Sequence, residues 1–403
     1  MNAVGIDVSK GKSTVAVLRP FGECVISPYD VSHTESDLDE LVRTIQCLEG
    51  ETRIVLEHTG HYYEQILLKL AGAGLFVTAV NPKLIKDFKI NSLRNVKTDK
   101  ADSVKIARYA LDRWNELIPF TKVDAARMQL KQIHRQFVFY TKNKIALRNN
   151  LISLIDQTFP GANSLFTSPV KVDGKQQWVD FINDFWHADC VRKKTKKGFV
   201  SLYFRWCEKQ GYRKSEKKAE KIYEYAKGLV CTLPKDDTTQ MLVKNAVKQV
   251  NAISETLEFY RNQMNMVAMS LPEYEMVLSM KGVGTSLGPQ LMAEIGDVRR
   301  FRHKGALIAY AGVDPGVNQS GTYNQKSTRT TKRGSAELRR TLYIVMEVLL
   351  KTKPEDDSVY QFMCKKRAEG KPYFVYMTAA ANKFLRVYYG KVNEYLAIQE
   401  VFG

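Results

Sequence analysis

The chain has 403 residues, enough for two or three domains, and with 44% hydrophobic residues it can bury ordinary cores. Its formal net charge of +18 favours a nucleic-acid backbone as partner, with a merely solvated basic surface as the plainer alternative. Other classes are disfavoured: no apolar run is long enough to span a membrane, the start lacks the features of a signal peptide, and the six cysteines form no CxxC pair, disulfide framework or zinc site, so a cytoplasmic protein with reduced thiols is expected.

Residues 1–120 read as an α/β domain. Strands are predicted over 3–8 and 13–18; Arg19-Pro20-Phe21-Gly22 supplies a turn, and 23–27 completes a three-stranded meander. Leu38, Leu41, Val42, Ile45 and Leu48 predict a helix over 36–48, followed by a strand over 53–57, a helix over 62–71 and a strand over 75–80 closed by Asn81-Pro82. A helix over 99–111 shows Val104, Ile106, Ala107 and Leu111. Three strands followed by alternating helices and strands is the order of a ribonuclease H-like fold.

Over 121–270 the pattern becomes helical. Two long helices, 124–158 and 237–268, are predicted from apolar recurrence at Leu130, Ile133, Phe137, Leu151 and Ile155, and at Val243, Val247, Val250 and Leu257. They read as an antiparallel stalk, either holding two protomers together or closing on itself as an intramolecular hairpin. The insert between them, about 160–235, carries twelve Lys or Arg against three Glu from 192 to 221, so its surface is strongly basic. Tyr203, Phe204, Trp206 and Tyr212 interleave with those charges. Basic residues with aromatics suit RNA, whose bases stack on rings; an insert that buries the rings in its own core reads the same.

From 271 to 403, Lys281-Gly282-Val283-Gly284 resembles a helix-hairpin-helix turn, where glycines let backbone N–H groups approach a phosphate, though a plain turn between helices reads alike. Ala309-Tyr310-Ala311-Gly312-Val313-Asp314-Pro315 leads into a polar stretch over 318–331, and helices are predicted over 335–350 and 373–389.

Four carboxylates carry the chemistry. Asp7 stands near the end of the first strand and Glu57 ends another; Asp99 and Asp102, at i and i+3, share the first turn of a helix. Such acids can converge on Mg2+, or Mn2+, which prefers oxygen ligands and keeps several waters. Two such ions assist phosphoryl transfer. A rival reading takes Gly5-Ile6-Asp7-Val8-Ser9-Lys10 as the first phosphate loop of a sugar kinase or actin-like ATPase, but no later glycine-rich nucleotide motif accompanies it.

These residues resemble the DEDD transposases of the insertion sequence 110 family, which includes the Piv/MooV DNA invertases. The N-terminal match rests on Gly5-Ile6-Asp7-Val8-Ser9-Lys10, Glu57-His58-Thr59-Gly60, Asn81-Pro82 and Lys97-Thr98-Asp99-Lys100-Ala101-Asp102. The C-terminal match rests on Gly282-Val283-Gly284, the 309–315 run, Gln319-Ser320-Gly321 and Thr331-Lys332-Arg333-Gly334. The insert is covered by no matching motif. The resemblance implies a RuvC-like domain, a coiled-coil linker and a mainly α transposase domain with a catalytic serine, at the position of Ser320. Ser327 and Ser335 compete for that role; Ser335 reads better as a helix N-cap.

The expectation is a DNA transposase or site-specific recombinase in which metal held by Asp7, Glu57, Asp99 and Asp102 assists Ser320 in forming a covalent phosphoserine. Lys10, Lys281, Gly282, Gly284, Lys326, Arg329, Lys332, Arg333, Arg339 and Arg340 are candidate phosphate contacts. The resemblance further implies a structured noncoding bridge RNA that pairs with donor and target DNA, and homodimers or tetramers in which acids of one protomer meet the serine of another. The alternatives are a RuvC-like Holliday-junction nuclease using the four acids alone and a catalytically silent nucleic-acid binder.

Overall fold

The computed structural model describes the chain apart from residues 59, 89–97, 121–123, 168–170, 172, 316–318, 321–322, 325–329 and 403, with the backbone alone at 319, 320, 323, 324 and 402. It forms two units, Met1–Val123 and Asp124–Gly403.

The first unit contains β1 (Asn2–Val8), β2 (Lys12–Leu18), β3 (Cys24–Ser32), α1 (Glu35–Gln46), β4 (Thr52–Glu57), α2 (Tyr62–Gly72), β5 (Val77–Val80), α3 (Pro82–Asp87) and α4 (Asp99–Asp112). The sheet order is β3-β2-β1-β4-β5. β1, β2 and β3 pair antiparallel, and β4 and β5 extend the sheet in parallel. This is the meander followed by crossover strands that the sequence predicts. β3 outruns its predicted end because it is an edge strand, where Pro28 removes no needed ladder bond. α3 was unforeseen: Asn81 caps it by accepting from the Lys83 N–H, and Pro82 opens its first turn.

Alternation along β1 serves two layers. Val4, Ile6 and Val8 pack with Leu41 of α1 and Leu67 of α2, while Ala3 packs on the other face with Ile106, Ala107 and Ala110 of α4. Gly5 is what lets α4 settle there. A Cβ at Gly5 would lie 2.2 Å from the Ser103 carbonyl oxygen and 2.3 Å from the Ala107 nitrogen.

The second unit begins with α5 (Ala125–Thr158); α6 (Gln177–Asp184), α7 (Asp189–Arg192), α8 (Lys196–Gln210) and α9 (Glu216–Lys227) form the insert, and α10 (Asp237–Met269) returns along α5. The two long helices pack on each other within one chain, with Tyr140 stacked on Tyr260 at 5.3 Å between ring centroids. In the insert the rings serve its own core: Trp178, Trp186, Tyr203 and Trp206 are buried. Tyr212 stacks on Trp206 at 5.3 Å and donates its hydroxyl to Asp180 at 2.6 Å. Stacking of bases on Tyr203 or Trp206 is thereby excluded, since apolar burial outweighs their interleaving with charge. That core is shared with Leu151 and Ile155 of α5 and Val243 and Val247 of α10.

The remainder comprises α11 (Tyr274–Leu278), α12 (Leu287–Ile295), α13 (Lys304–Ala311), the short strands β6 (Gln319–Ser320) and β7 (Tyr323–Asn324), α14 (Ala336–Thr352), α15 (Ser358–Ala368) and α16 (Tyr373–Phe402). Its core joins Leu291, Leu342, Val345 and Phe384 to Leu130 and Phe137 of α5 and Met264 of α10. α16 extends well beyond residue 389, burying Val392 and Leu396 at successive i+4 steps. Among the described residues no helix is long and apolar enough to cross a membrane.

Candidate active site

The four acids are placed by the packing just described. Ala3, Gly5 and Asp7 share the face of β1 that α4 covers. Because α4 crosses β1 at Gly5 through Ser103 and Ala107, the turn before that crossing brings Asp102 and Asp99 towards Asp7. On the other side Ile6 is level with Leu56 of β4, so Asp7 and Glu57 follow on neighbouring strands about 5 Å apart. Thr98 caps α4 by accepting from the Ala101 N–H at 3.2 Å, and the acids of the first turn suit the positive end of the helix.

Their charges oppose one another. Burial, then Asp102 and Asp99, push the Asp7 carboxyl up to about 6. Glu57 is also raised, by burial, Asp7 and Asp102, with Lys105 pulling the other way. Among the described residues no three His, Cys, Asp or Glu side chains form a ready-made metal cage. The donor set nonetheless fits a magnesium-type ion, which takes a few carboxylates and completes its shell with water and substrate oxygens. A bound cation would also relieve the repulsion at Asp7.

Three neighbours were not singled out from sequence. Lys12 pairs with Asp30 at 3.0 Å, and Asp30 also accepts from the Thr14 hydroxyl at 2.7 Å. The Thr14 hydrogen bond, followed by that from Lys12, holds Asp30 below the usual carboxylate range. Thr14 stands opposite Asp7 in the sheet, so Asp30 is a fifth acid already committed to partners. Lys105, the third, was findable, since it lies three residues after Asp102 on the same helix face. Lys10 is exposed in the turn after β1.

In the second unit Ser320 lies on a hairpin, opposite Tyr323 in the β6–β7 pair. Pro315 bridges Thr330, the Thr331 N–H donates to the Asp314 carbonyl at 3.1 Å, and the Lys332 N–H donates to the Gly312 carbonyl at 3.2 Å. The Ser335 N–H closes the stem onto the Tyr310 carbonyl at 2.7 Å. Gly334 permits this closure: a Cβ there would sit 1.7 Å from the Tyr310 carbonyl oxygen. Lys332 is held at φ +51°, left-handed backbone that costs a non-glycine residue about 1–2 kcal/mol. Lys326, Arg329 and the rival Ser327 lie outside the described residues. Ser335 caps α14 by accepting from the Leu338 N–H, and donates its own hydroxyl to Glu294 at 2.6 Å.

Glu294 was missed. Its buried carboxylate also accepts from Arg135 at 3.3 Å and pairs with His134 at 3.0 Å. Burial would raise it, yet hydrogen bonds from His134 and Ser335, with the Arg135 charge, hold it below the usual range. A lone acid in the apolar run Leu291-Met292-Ala293-Glu294-Ile295 was the available signal.

The remaining cations differ in their ties. Arg339 donates to the Ala311 carbonyl at 2.8 Å, while Lys332, Arg333 and Arg340 pair with no described acid. Lys281 pairs with Asp356 at 3.5 Å. Gly282 has φ +77° and packs against α14, where a Cβ would meet Leu349 at 2.9 Å; Gly284 faces open space.

Residues 4–160 match a family model described as transposase, of the IS110 DEDD type, and residues 274–361 match the transposase IS116/IS110/IS902 family. The two matches together cover more than half of the chain. The uncharacterised 44.8 kDa protein of insertion element IS116 from Streptomyces clavuligerus is 23% identical over 368 residues, 91% of this chain and 88% of that protein. The uncharacterised 42 kDa protein of insertion element IS900 from Mycobacterium paratuberculosis is 30% identical over 122 residues, 30% of each chain. Among solved structures, T. thermophilus RuvC in complex with Holliday junction substrate is similar at 12% identity and a TM-score of 0.23, covering 30% of this chain and 99% of RuvC. The Thermus thermophilus RuvC structure is similar at 14% identity and a TM-score of 0.24, covering 30% of this chain and all of that one.

Proposed function

The chain belongs to the IS116/IS110/IS902 family of transposases, and we propose that it cuts and rejoins DNA with two groups of residues, the four acids of the first unit and Ser320 of the second. The observation that carries this reading is the placement of acids from three elements at one place: Asp7 and Glu57 follow the paired Ile6 and Leu56 on neighbouring strands, and α4, which carries Asp99 and Asp102, crosses β1 at Gly5, in keeping with the raised Asp7 and Glu57 carboxyls. Asp7, Glu57, Asp99 and Asp102 would hold Mg2+ or Mn2+, which when bound supplies polarisation of the scissile phosphate.

The chain's own chemistry then falls to Ser320. Its Oγ attacks phosphorus, the P–Oγ bond forms as the P–O3′ bond breaks, and the departing oxygen takes up a proton as a free 3′-hydroxyl while the serine gives one up. Attack on the phosphoserine by another strand's 3′-hydroxyl reverses these changes and reseals DNA with no external energy source. Lys332, Arg333, Arg339 and Arg340, on the stem of the serine hairpin and the first turns of α14, would hold the flanking phosphates. Lys10 would do so beside the acids, and Lys281, Gly282 and Gly284 beyond α11. Lys326 and Arg329 complete the set within the polar stretch.

A structured noncoding RNA that pairs with donor and target would carry sequence choice, leaving backbone and shape to the protein. The basic outer surface of the insert suits that partner. Assembly as a dimer or tetramer would let acids of one protomer serve the serine of another.

The test is recombination of a supercoiled donor and target with magnesium and the element's RNA. Ser320→Ala should abolish joining and the covalent protein–DNA adduct on denaturing gels while DNA binding persists. Asp7→Ala and Glu57→Ala should abolish cleavage. Full recombination by Ser320→Ala would discard the phosphoserine route, and cleavage without any adduct would favour a nuclease that uses the acids alone.

A further inference from the structure

At the base of the serine hairpin lies a cleft of about 370 Å³. Both arms of the stem line it, through Val313 on one side and Thr330 and Lys332 on the other, together with Arg339 and Arg340 of α14 and Phe374 of α16. The volume is at the small end of ligand sites. It suits one nucleotide and excludes a duplex.

The chemistry of the walls is divided. Phe374, in the first turn of α16, is 72% exposed beside the exposed Tyr373 and Val375, so its ring is open to a partner. Tyr343 also lines the cleft, with its hydroxyl tied to Thr378 at 2.5 Å, so it offers a held ring and not a free donor. The rim is cationic. Lys332 and Arg340 pair with no described acid, and Lys332 is fixed in left-handed backbone by the stem. An apolar slot with an exposed ring and unneutralised cations around it complements a ligand with a flat aromatic face and an attached phosphate.

The geometry points to a pocket for one unstacked deoxynucleotide of the strand being cut, its base against Phe374 and its phosphate against Lys332 and Arg340. This rests on the assignment of Ser320 as the nucleophile and deepens it. Val313 and Thr330 are the two ends of the segment that carries the serine, so a nucleotide seated between them ties the DNA strand to that segment. Drawing one base out of the stack is the means by which enzymes reach atoms that a duplex hides. Here it would hold the strand's register at the foot of the hairpin that carries the serine.

The probe is a short single-stranded thymidine oligomer with one central 2-aminopurine, added to the full chain. Stacking on Phe374 quenches the probe's fluorescence, and replacing the ring weakens binding about ten-fold. Phe374→Ala and Phe374→Leu should both lose quenching and affinity, Phe374→Trp should restore them, and Ser320→Ala should bind and quench like the parent. The exposure of Phe374 predicts unchanged melting for all three variants, which separates loss of the pocket from loss of the fold. Parental binding and quenching by Phe374→Ala overturn the pocket and leave the serine chemistry standing. Stronger, Phe374-dependent binding of the ribonucleotide version overturns the assignment to DNA. Loss of recombination in Ser320→Ala is read separately and reports only on the nucleophile.

Discussion

Replacing Asp7 with Asn should stabilise the protein in the absence of metal, although it removes a residue proposed to be essential. In the unfolded chain this carboxyl loses its proton near pH 4; in the native chain it does so at about 6. Between those values the native state holds a proton that the unfolded state has lost. Stability from this group is therefore full below about pH 4, falls as pH rises to about 6, and stays lost above. Unscreened, the difference amounts to about 3 kcal/mol. Water still reaches part of the carboxyl, which reduces the expected gain of Asp7→Asn to about 1–2 kcal/mol at pH 8. The assay is urea denaturation of parent and variant in EDTA at pH 8 and at pH 4.5. The variant's advantage should be largest at pH 8 and shrink on acidification. Magnesium should then stabilise the parent more than the variant, because only the parent keeps the repelled charge that a cation neutralises. A variant no more stable than the parent at pH 8, or an advantage that grows in acid, would falsify the account of Asp7 as a repelled, metal-seeking acid.

Two further predictions concern packing. Gly5→Ala should cost about 3 kcal/mol, the upper end of overpacking, because the atoms its Cβ meets are backbone of α4 and cannot rotate aside; thermal denaturation reads the cost, and cleavage activity should fall with it as Asp99 and Asp102 are displaced. Glu273→Ala should cost about 3 kcal/mol, the lower end for a broken buried pair, because the buried Arg127 charge loses the carboxylate that engages it with both oxygens and keeps only the half-exposed Asp124 at 2.9 Å. Combining Arg127→Met with Glu273→Leu should recover most of that loss in the same denaturation assay, and a double variant as unstable as Glu273→Ala would count against the stranded charge as the cause.

Much of the first unit was legible because its signals are local. The strand at Val4, Ile6 and Val8 alternates, and the helix of Leu38, Leu41, Val42 and Ile45 keeps one period. The roles of Gly5 and Glu294 were not, for their reasons lie in elements far along the chain. Gly5 answers to Ser103 and Ala107, and Glu294 to His134 and Ser335. Ser335 itself was readable as a cap, since capping involves only its own helix. α15 escaped because it buries only Val359 and Met363 and carries Lys365, Lys366 and Arg367 in its last turn, a weak apolar stripe. The rings of the insert show the opposite failure. Charge alternating with Tyr203 and Trp206 fits a binding surface and a buried stripe equally, and only packing separates them.

The long helix pair has a mechanical consequence. α5, with 34 residues, is an arm about 50 Å long. At one end it is welded to the insert through Leu151 and Ile155; near the other, His134 and Arg135 grip Glu294, which grips Ser335 at the foot of the serine hairpin. Both joints are packed side chains and not linkers. Force applied to the insert by any cargo is thus delivered, as along a stiff lever, to the ground on which the serine stands.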